Sequence, residues 1–353
     1  MHGEREDTHG AGTTDRWRCA CRQVVGFVAA SATIGALVAA MALPVVWIGA
    51  GLARDVTIAA DLVPADMAVR PLPQRSTILD ADGDVLARVF DENRVNVELG
   101  DVSRTFVKAL LAVEDSRFYE HGGIDLRGTA RALGANVGSG SVVQGGSSLT
   151  QQLVKQTLVT QARNDEDRQD ATEQTVARKV RELGLALALE REHSKDWILE
   201  RYLNTAYFGA GAYGVQAAAE HYFGTDAADL DLRQAALLAG LVQSPSAYDP
   251  TTHARRARER RSTVLERMAG LGMIGERRAR RIARTDLGLR VSPVRNGCLA
   301  SKAPFLCDYA VQFLLDDPAL GGTRRARERM LREGGLTIRT TFDLRHQLSL
   351  IHI

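Results

Sequence analysis

Aromatic residues are scarce, 5% of the 353 positions, so the core must be built from Leu, Val and Ala. Excess charge is also missing: 45 Lys and Arg against 43 Asp and Glu leave a net +2. That balance speaks against a dedicated nucleic-acid binder, which carries a stronger basic bias. Long β-branched runs are few, whereas Ala, Leu, Arg and Glu are abundant, a bias toward a mostly helical body. No internal repeat is visible. The four cysteines form no Cys-x-x-Cys and keep no His/Cys ligand spacing, which argues against a structural zinc site. With 45% hydrophobic and 25% charged residues the composition is that of an ordinary globular protein, and the length suits one large domain or two smaller ones.

One feature is not ordinary. Val24 to Leu43 contains no charge, and the uncharged run continues through Trp47 to Ala53. About 20 residues at a 1.5 Å rise cross a bilayer core. Arg16, Arg18 and Arg22 precede the run, while Arg54 and Asp55 cancel after it, so the N-terminal side is the cytoplasmic one. Residues 1–23 then form a cytoplasmic tail, 24–53 a transmembrane anchor with Pro44 at a kink or at the end of the span, and the rest lies outside. A cleaved signal peptide is the rival reading, but its apolar region is normally about 7–15 residues long.

Residues 54–100 read as a tether followed by a β-hairpin. Within 76–90 apolar and polar residues alternate around an Asp82-Gly83 turn, and so small a sheet needs a partner. Residues 101–290 are helical in pattern, with Asp101 and Ser103 as candidate caps ahead of the first helix. Further helices are expected at 149–161, 172–192, 195–204, 215–222, 231–242, 254–270 and 275–284, with a Gly-rich loop at 134–146. The Arg-rich stretch 254–284 reads as a solvated helix face, or as a surface for anionic lipid headgroups. Export would let Cys298 and Cys307 close a short disulfide loop; two reduced thiols are the other reading.

Three places carry residue types suited to chemistry. On the first helix Val107, Leu111, Glu114 and Phe118 share one stripe. A carboxylate set among apolar side chains is desolvated, which raises its pKa and makes it a usable base near neutral pH. An edge position paired with Arg117 is the competing account. In 145–155 (GGSSLTQQLVK) two glycines precede capping serines, and Gln152 and Lys155 share a face with Ser148. Free N–H groups, hydroxyls and an ammonium at a helix start suit a phosphate or diphosphate, although a plain capped helix has the same pattern. Arg178, Lys179 and Glu182 are spaced as a solvated ion-pair patch, or as cations placed to hold a diphosphate and a bridging metal. Gly209, Gly211 and Gly214 match a dinucleotide fingerprint, but they follow a helical segment and not a strand, so tight helix–loop–helix packing explains them better.

Five stretches in this order resemble the glycosyltransferase domain of class A penicillin-binding proteins, glycosyltransferase family 51. They are 114–123 (EDSRFYEHGG), 145–152 (GGSSLTQQ), 178–182 (RKVRE), 198–224 with ILERYLN, FGAGAYGV and YFG, and 237–241 (LLAGL) with Pro245 and Tyr248. The resemblance covers roughly residues 75–290. It implies a mainly α, lysozyme-like glycosyltransferase domain with a small β-hairpin region, preceded by one transmembrane helix. The implied activity is peptidoglycan glycosyltransfer: lipid II is polymerised into β-1,4-linked glycan strands and undecaprenyl diphosphate is released. By that likeness Glu114 is the general base, and Glu182, Lys155, Arg178 and Lys179 stabilise the departing diphosphate. Ser147, Gln152 and Asn204 shape the sugar and phosphate sites, while Arg117 and His121 organise the first motif. A divalent cation, Mg2+ or Mn2+, is implied, with no nucleotide or organic cofactor. The implied partners are lipid II, the growing glycan strand, the bacterial cytoplasmic membrane and cell-wall synthesis or division proteins, but not nucleic acid.

Residues 291–353 read as a connector. Gly334 to Asp343 looks like the lead-in to a penicillin-binding transpeptidase domain, yet no Ser-x-x-Lys or Lys-Thr-Gly follows before Ile353. A bifunctional enzyme cut short is the expectation, with Cys298 and Cys307 in the connector. Two alternatives stand beside it: a lysozyme-like hydrolase or lytic transglycosylase, which would not need the cations, and an inactive membrane scaffold of cell-wall assembly. The intact protein is expected to sediment with membranes. Recovery of a mature chain starting near Ala53 would overturn the anchor.

Overall fold

The alternation in residues 76–90 folds as a hairpin: β1 (Ser76–Leu79) runs antiparallel to β2 (Val85–Val89), with Ser76 opposite Val89 and a register shift after Ile78. Its partner comes from far along the chain. β5 (Thr337–Arg339) lies parallel on the other side of β1, giving the order β2-β1-β5. The computed structural model describes residues 71–125, 128, 146–162, 164–173 and 175–351. The anchor expected at residues 24–53 and most of the Gly-rich loop at 134–146 lie outside them. Among the described residues no helix is long and apolar enough to cross a membrane.

The helical body starts at α1 (Arg104–Glu114) and continues through α2 (Leu149–Gln161), α3 (Asp165–Thr172), α4 (Val176–Glu192) and α5 (Lys195–Thr205). After the short strand β4 (Ala212–Tyr213) come α6 (Val215–Phe223), α7 (Leu232–Leu241) and the single turn α8 (Pro245–Tyr248). α9 (Ala254–Gly270) and α10 (Glu276–Ala283) close this part. Local chemistry sets several starts. Ser148, Thr175 and Ser194 each accept a backbone N–H at the N-cap of α2, α4 and α5. At α7, Asp231 and Gln234 form a reciprocal capping box.

Three expectations change. Ser103 occupies the N-cap of α1, but its hydroxyl donates to the Leu230 carbonyl at 2.8 Å and leaves the helix end uncapped by its side chain. Asp101 closes a separate 3-10 turn. α1 stops at Glu114, so Phe118 is not on its stripe; it begins another 3-10 turn and is buried there. The helix expected from residue 172 starts later, as α4 at Val176, and Thr172 instead ends α3.

One apolar core fills the helical body, with Phe106, Leu110, Leu153, Tyr202, Phe208, Tyr222 and Leu238 among its buried members. α9 packs on α7, α1 and α10, while α2 packs on α4 and α5. Two glycines permit close approaches. Gly209 (φ +92°) lies where a Cβ would come within 2.9 Å of the Tyr222 hydroxyl, and at Gly214 (φ +79°) a Cβ would meet the Asn204 carbonyl at 3.0 Å. The fingerprint glycines thus serve packing, with β4 beside β3 (Asn93–Arg94) in parallel register.

A second apolar cluster joins the hairpin to the C-terminal helices α11 (Pro304–Asp316) and α12 (Arg324–Glu333) through Ile78, Leu86, Val89, Cys307, Leu315 and Leu331. The helix α13 (Leu344–Ile351) follows β5. A disulfide joins Cys298 and Cys307 inside this cluster.

The stretch 254–284 is not a uniformly solvated face. Arg261 is fully buried and donates to the Thr285 carbonyl at 2.8 Å, to Ala283 at 3.1 Å and to Asp286. It ties α9 to the chain that follows α10. Arg261→Met keeps the stem and removes all three donors, leaving inward-facing carbonyls unmatched. The expected loss is about 2–4 kcal/mol in urea unfolding; an unchanged midpoint would mean that water replaces the guanidinium.

Candidate active site

Glu114 is the last residue of α1, and its side chain is 11% exposed. Its carboxylate accepts a hydrogen bond from Gln152 Nε2 at 2.9 Å and faces Arg260 Nη2 at 3.8 Å. Gln152 Oε1 in turn accepts from the buried Tyr202 hydroxyl at 2.9 Å. Burial, and then the nearby Glu114 charge, hold that phenol well above its usual pKa, so it stays a donor. The phenol thereby fixes which way the amide faces, with its N–H₂ toward Glu114. Burial raises the pKa of Glu114; the Gln152 bond and the Arg260 charge oppose the rise, and Asp115 adds to it. Arg117, the expected ion-pair partner, turns instead to Asp125.

Asp115, the next residue, is used differently. It accepts from His121 Nε2 at 2.9 and 3.1 Å and from the backbone N–H of Leu149 at 3.1 Å. Ser148 donates to the Gly123 carbonyl at 2.7 Å, and Gln151 reaches the same oxygen at 3.3 Å. The first motif thus holds the start of α2, which carries Gln152 to Glu114.

Glu182, on the same cavity, is 3% exposed and takes an ion pair from Arg178 and a second from Lys179 at 3.3 Å. Lys179 Nζ also donates to Ser147 Oγ at 2.7 Å. Two cations share one carboxylate, so this wall keeps a positive excess. Lys155 adds another cation and is exposed, with no ion pair among the described residues. Glu114, Gln152, Lys155, Ser147, Arg178, Lys179 and Glu182 all line one cavity of about 750 Å³.

Three expected site residues stand away from it. The amide of Asn204 is fully occupied: Oδ1 accepts from Val97 N at 2.9 Å, and Nδ2 donates to the Val97 and Glu200 carbonyls at 2.8 and 3.1 Å. It joins α5 to the chain ahead of α1 and does not line the cavity. Arg117 and His121 also do not line the cavity, because Asp125 and Asp115 hold them behind its wall. Conversely, Arg260 belongs to the site and was absorbed into the Arg-rich stretch when read as sequence. It passes over Gly240 of α7, where a Cβ would come within 3.0 Å of the Arg260 side chain, and lies 5.8 Å from the Tyr248 ring. The glycine in 237–241 was the available signal.

One acidic cluster offers ligand atoms for a cation: Asp115, His121 and Asp125 lie within 4.8 Å of one another. Asp115 already accepts from an imidazole and a backbone N–H, and Asp125 from Arg117 and the Gly128 N–H. A carboxylate pair already engaged by donors and an arginine does not fit a resident divalent ion.

Residues 82–269 match the transglycosylase family. The chain belongs to this family. Among similar proteins, penicillin-binding protein 1F of Bacillus subtilis (strain 168) is 36% identical over 275 residues, 77% of this chain and 35% of that protein. Penicillin-binding protein 1A/1B of the same strain is 42% identical over 221 residues, 62% of this chain and 23% of its own length. The chain therefore spans 35% and 23% of those two curated relatives. The crystal structure of penicillin-binding protein 1A from Haemophilus influenzae matches with a TM-score of 0.43 at 22% identity, over 79% of this chain and 28% of that one. That likeness is too loose to bear on the fold.

The direction of the Glu114 shift has a consequence for stability. A carboxyl group whose folded pKa lies above its unfolded value stabilises the fold below the unfolded pKa, and loses that contribution as pH rises through the folded one. At pH 7 the buried charge is a cost, so Glu114→Gln is expected to unfold at higher urea than the parent. The gain should vanish as pH falls below the ordinary glutamate range. Parallel urea titrations at the two pH values check this; a variant less stable at pH 7 would show that the Arg260 contact outweighs desolvation.

Proposed function

We propose that the cavity transfers a glycosyl group from a lipid diphosphate to a sugar hydroxyl, as a peptidoglycan glycosyltransferase that polymerises lipid II and releases undecaprenyl diphosphate. The observation that carries this reading is a desolvated carboxylate and a cationic wall lining the same cavity.

Glu114 accepts the proton of the acceptor's 4-hydroxyl as that oxygen attacks the donor's anomeric carbon. A carboxylate poorly solvated by its surroundings is a stronger base than one in water. The Gln152 bond aims it, and the Arg260 charge favours its ionised form while leaving an oxygen available. The bond from the anomeric carbon to the diphosphate breaks, and Lys155, Arg178 and Lys179 take up the charge that develops there. Glu182 holds Arg178 and Lys179 in place, with Ser147 as a second anchor for Lys179. Attack opposite the leaving group inverts the centre and gives a β-1,4 link. Any divalent cation belongs to the diphosphate as part of the substrate.

In this reading residues 101–290 are the glycosyltransferase domain, lysozyme-like in fold. Residues 24–53 anchor it to the bacterial cytoplasmic membrane, with residues 1–23 in the cytoplasm and the cavity on the outer face where the lipid donor resides. Hydrolysis of finished glycan would use one acidic residue and has no need of the cations, which favours transfer.

Purified full-length protein in detergent should convert lipid II to polymer and leave mature peptidoglycan intact. Glu114→Gln should lower polymer formation by roughly 10²–10⁴-fold with unchanged folding by circular dichroism. Polymer of normal yield from that variant, or cleavage of mature glycan by the parent, would overturn the assignment.

A further inference from the structure

The helix α11 is apolar on two sides. Cys307 and Leu315 pack into the cluster shared with the hairpin. On the solvent side Phe305, Tyr309 and Phe313 are 91%, 63% and 65% exposed. Residues four apart share one stripe of a helix, so the three aromatics form a single apolar row. Phe342 lies beside Tyr309 at a ring-centroid distance of 6.3 Å and still leaves it more than half exposed. The row stands on a fixed base, because the Cys298–Cys307 disulfide ties α11 to the turn before it. Contiguous exposed aromatics of this kind mark a surface that meets a partner.

The order of residues along the row is its own complement. Phe305 and Phe313 stand four positions before and after Tyr309, and Lys302 and Asp316 stand seven before and after it. Two copies of α11 laid antiparallel, with a two-fold axis at Tyr309, therefore set tyrosine on tyrosine, Phe305 on Phe313 twice and Lys302 against Asp316 twice. Both charged residues are exposed. Asp316 lies 3.6 Å from Arg324, an exposed contact loose enough in water to leave room for a second cation. Asp308, exposed beside Tyr309, opposes the pairing, since it comes near its own copy at the axis. A bilayer has no need of opposite charges at the two ends of the row, and an unrelated protein none of equal spacing about its centre. Each aromatic covers about 150–250 Å² when buried, so six of them bring the contact to roughly 1,000 Å², where specific interfaces begin.

We propose that this face of α11 pairs with the same face of a second copy of the chain, as an antiparallel two-fold helix pair centred on Tyr309.

Carbodiimide coupling of the full-length protein in detergent, mapped by peptide mass spectrometry, tests the register. The reagent joins a lysine to a carboxylate only where the two touch. Within one chain Lys302 and Asp316 sit at opposite ends of α11, roughly 20 Å apart at 1.5 Å per residue, so a bond between them must join two copies. That bond is expected in the dimer. Phe305→Ser combined with Phe313→Ser should weaken dimerisation roughly tenfold or more in sedimentation equilibrium, with an unchanged circular dichroism spectrum. Lys302→Glu should weaken it as well, Lys302→Glu with Asp316→Lys should restore it, and Asp308→Asn should strengthen it. Absence of the Lys302–Asp316 bond, or a dimer undiminished in the double-serine variant, would overturn the proposal. So would a monomer in which the thiol of Tyr309→Cys is shielded from an aqueous maleimide, because lipid, detergent or the chain itself would then cover the face.

Discussion

The structure turns on a buried carboxyl group held without a close ion pair. Glu114 ends a helix in the apolar body, where an isolated anion is expensive. Its stabilisation comes from a neutral amide at 2.9 Å and a guanidinium held off at 3.8 Å, both weaker than a close ion pair. That arrangement needs Gln152 oriented by a fully buried phenol on α5, and Arg260 carried across α7 by a glycine. Five helices are therefore committed to one side chain.

Two neighbouring acids show how environment separates residues of the same chemistry. Asp115 also lines the cavity, but it takes two donors, the His121 ring and the Leu149 N–H, and so fastens the start of α2. Glu114 has one, and faces the cavity. The cationic wall applies the same logic to cations: Glu182 is nearly sealed from water and holds two basic groups that would otherwise repel each other. A buried acid there sets the spacing of two positive charges, which two exposed cations alone would not hold.

Much of this was legible in the sequence where the signal is local. Helix spacing placed α9 at 254–270 and α2 at 149–161, because apolar residues recur at a helical period and serines precede the latter. The hairpin was readable from alternation and an Asp-Gly turn. Side-chain direction was not. Arg260 and Arg261 are adjacent and identical, yet neighbours on a helix diverge by about 100°, so one reaches the cavity and the other ties down carbonyls after α10. Motif membership did not tell Asn204, Arg117 and His121 from residues that line the cavity, since an amide or imidazole that holds the scaffold reads the same as one that holds a sugar. The partner of β1 was unreadable for another reason. Parallel pairing leaves no short-range trace when the two strands lie at opposite ends of the described chain.

That long reach has a bearing on assembly in the cell. Thr77 pairs with Thr337, so an edge of the hairpin stays open until residue 337 has been synthesised. A two-stranded ribbon is marginal in water by itself, and contacts this remote in sequence form late. The helical body between the strands can condense first, with its ends closed afterwards by β5. During that interval the bare strand edge is open to pairing with another chain.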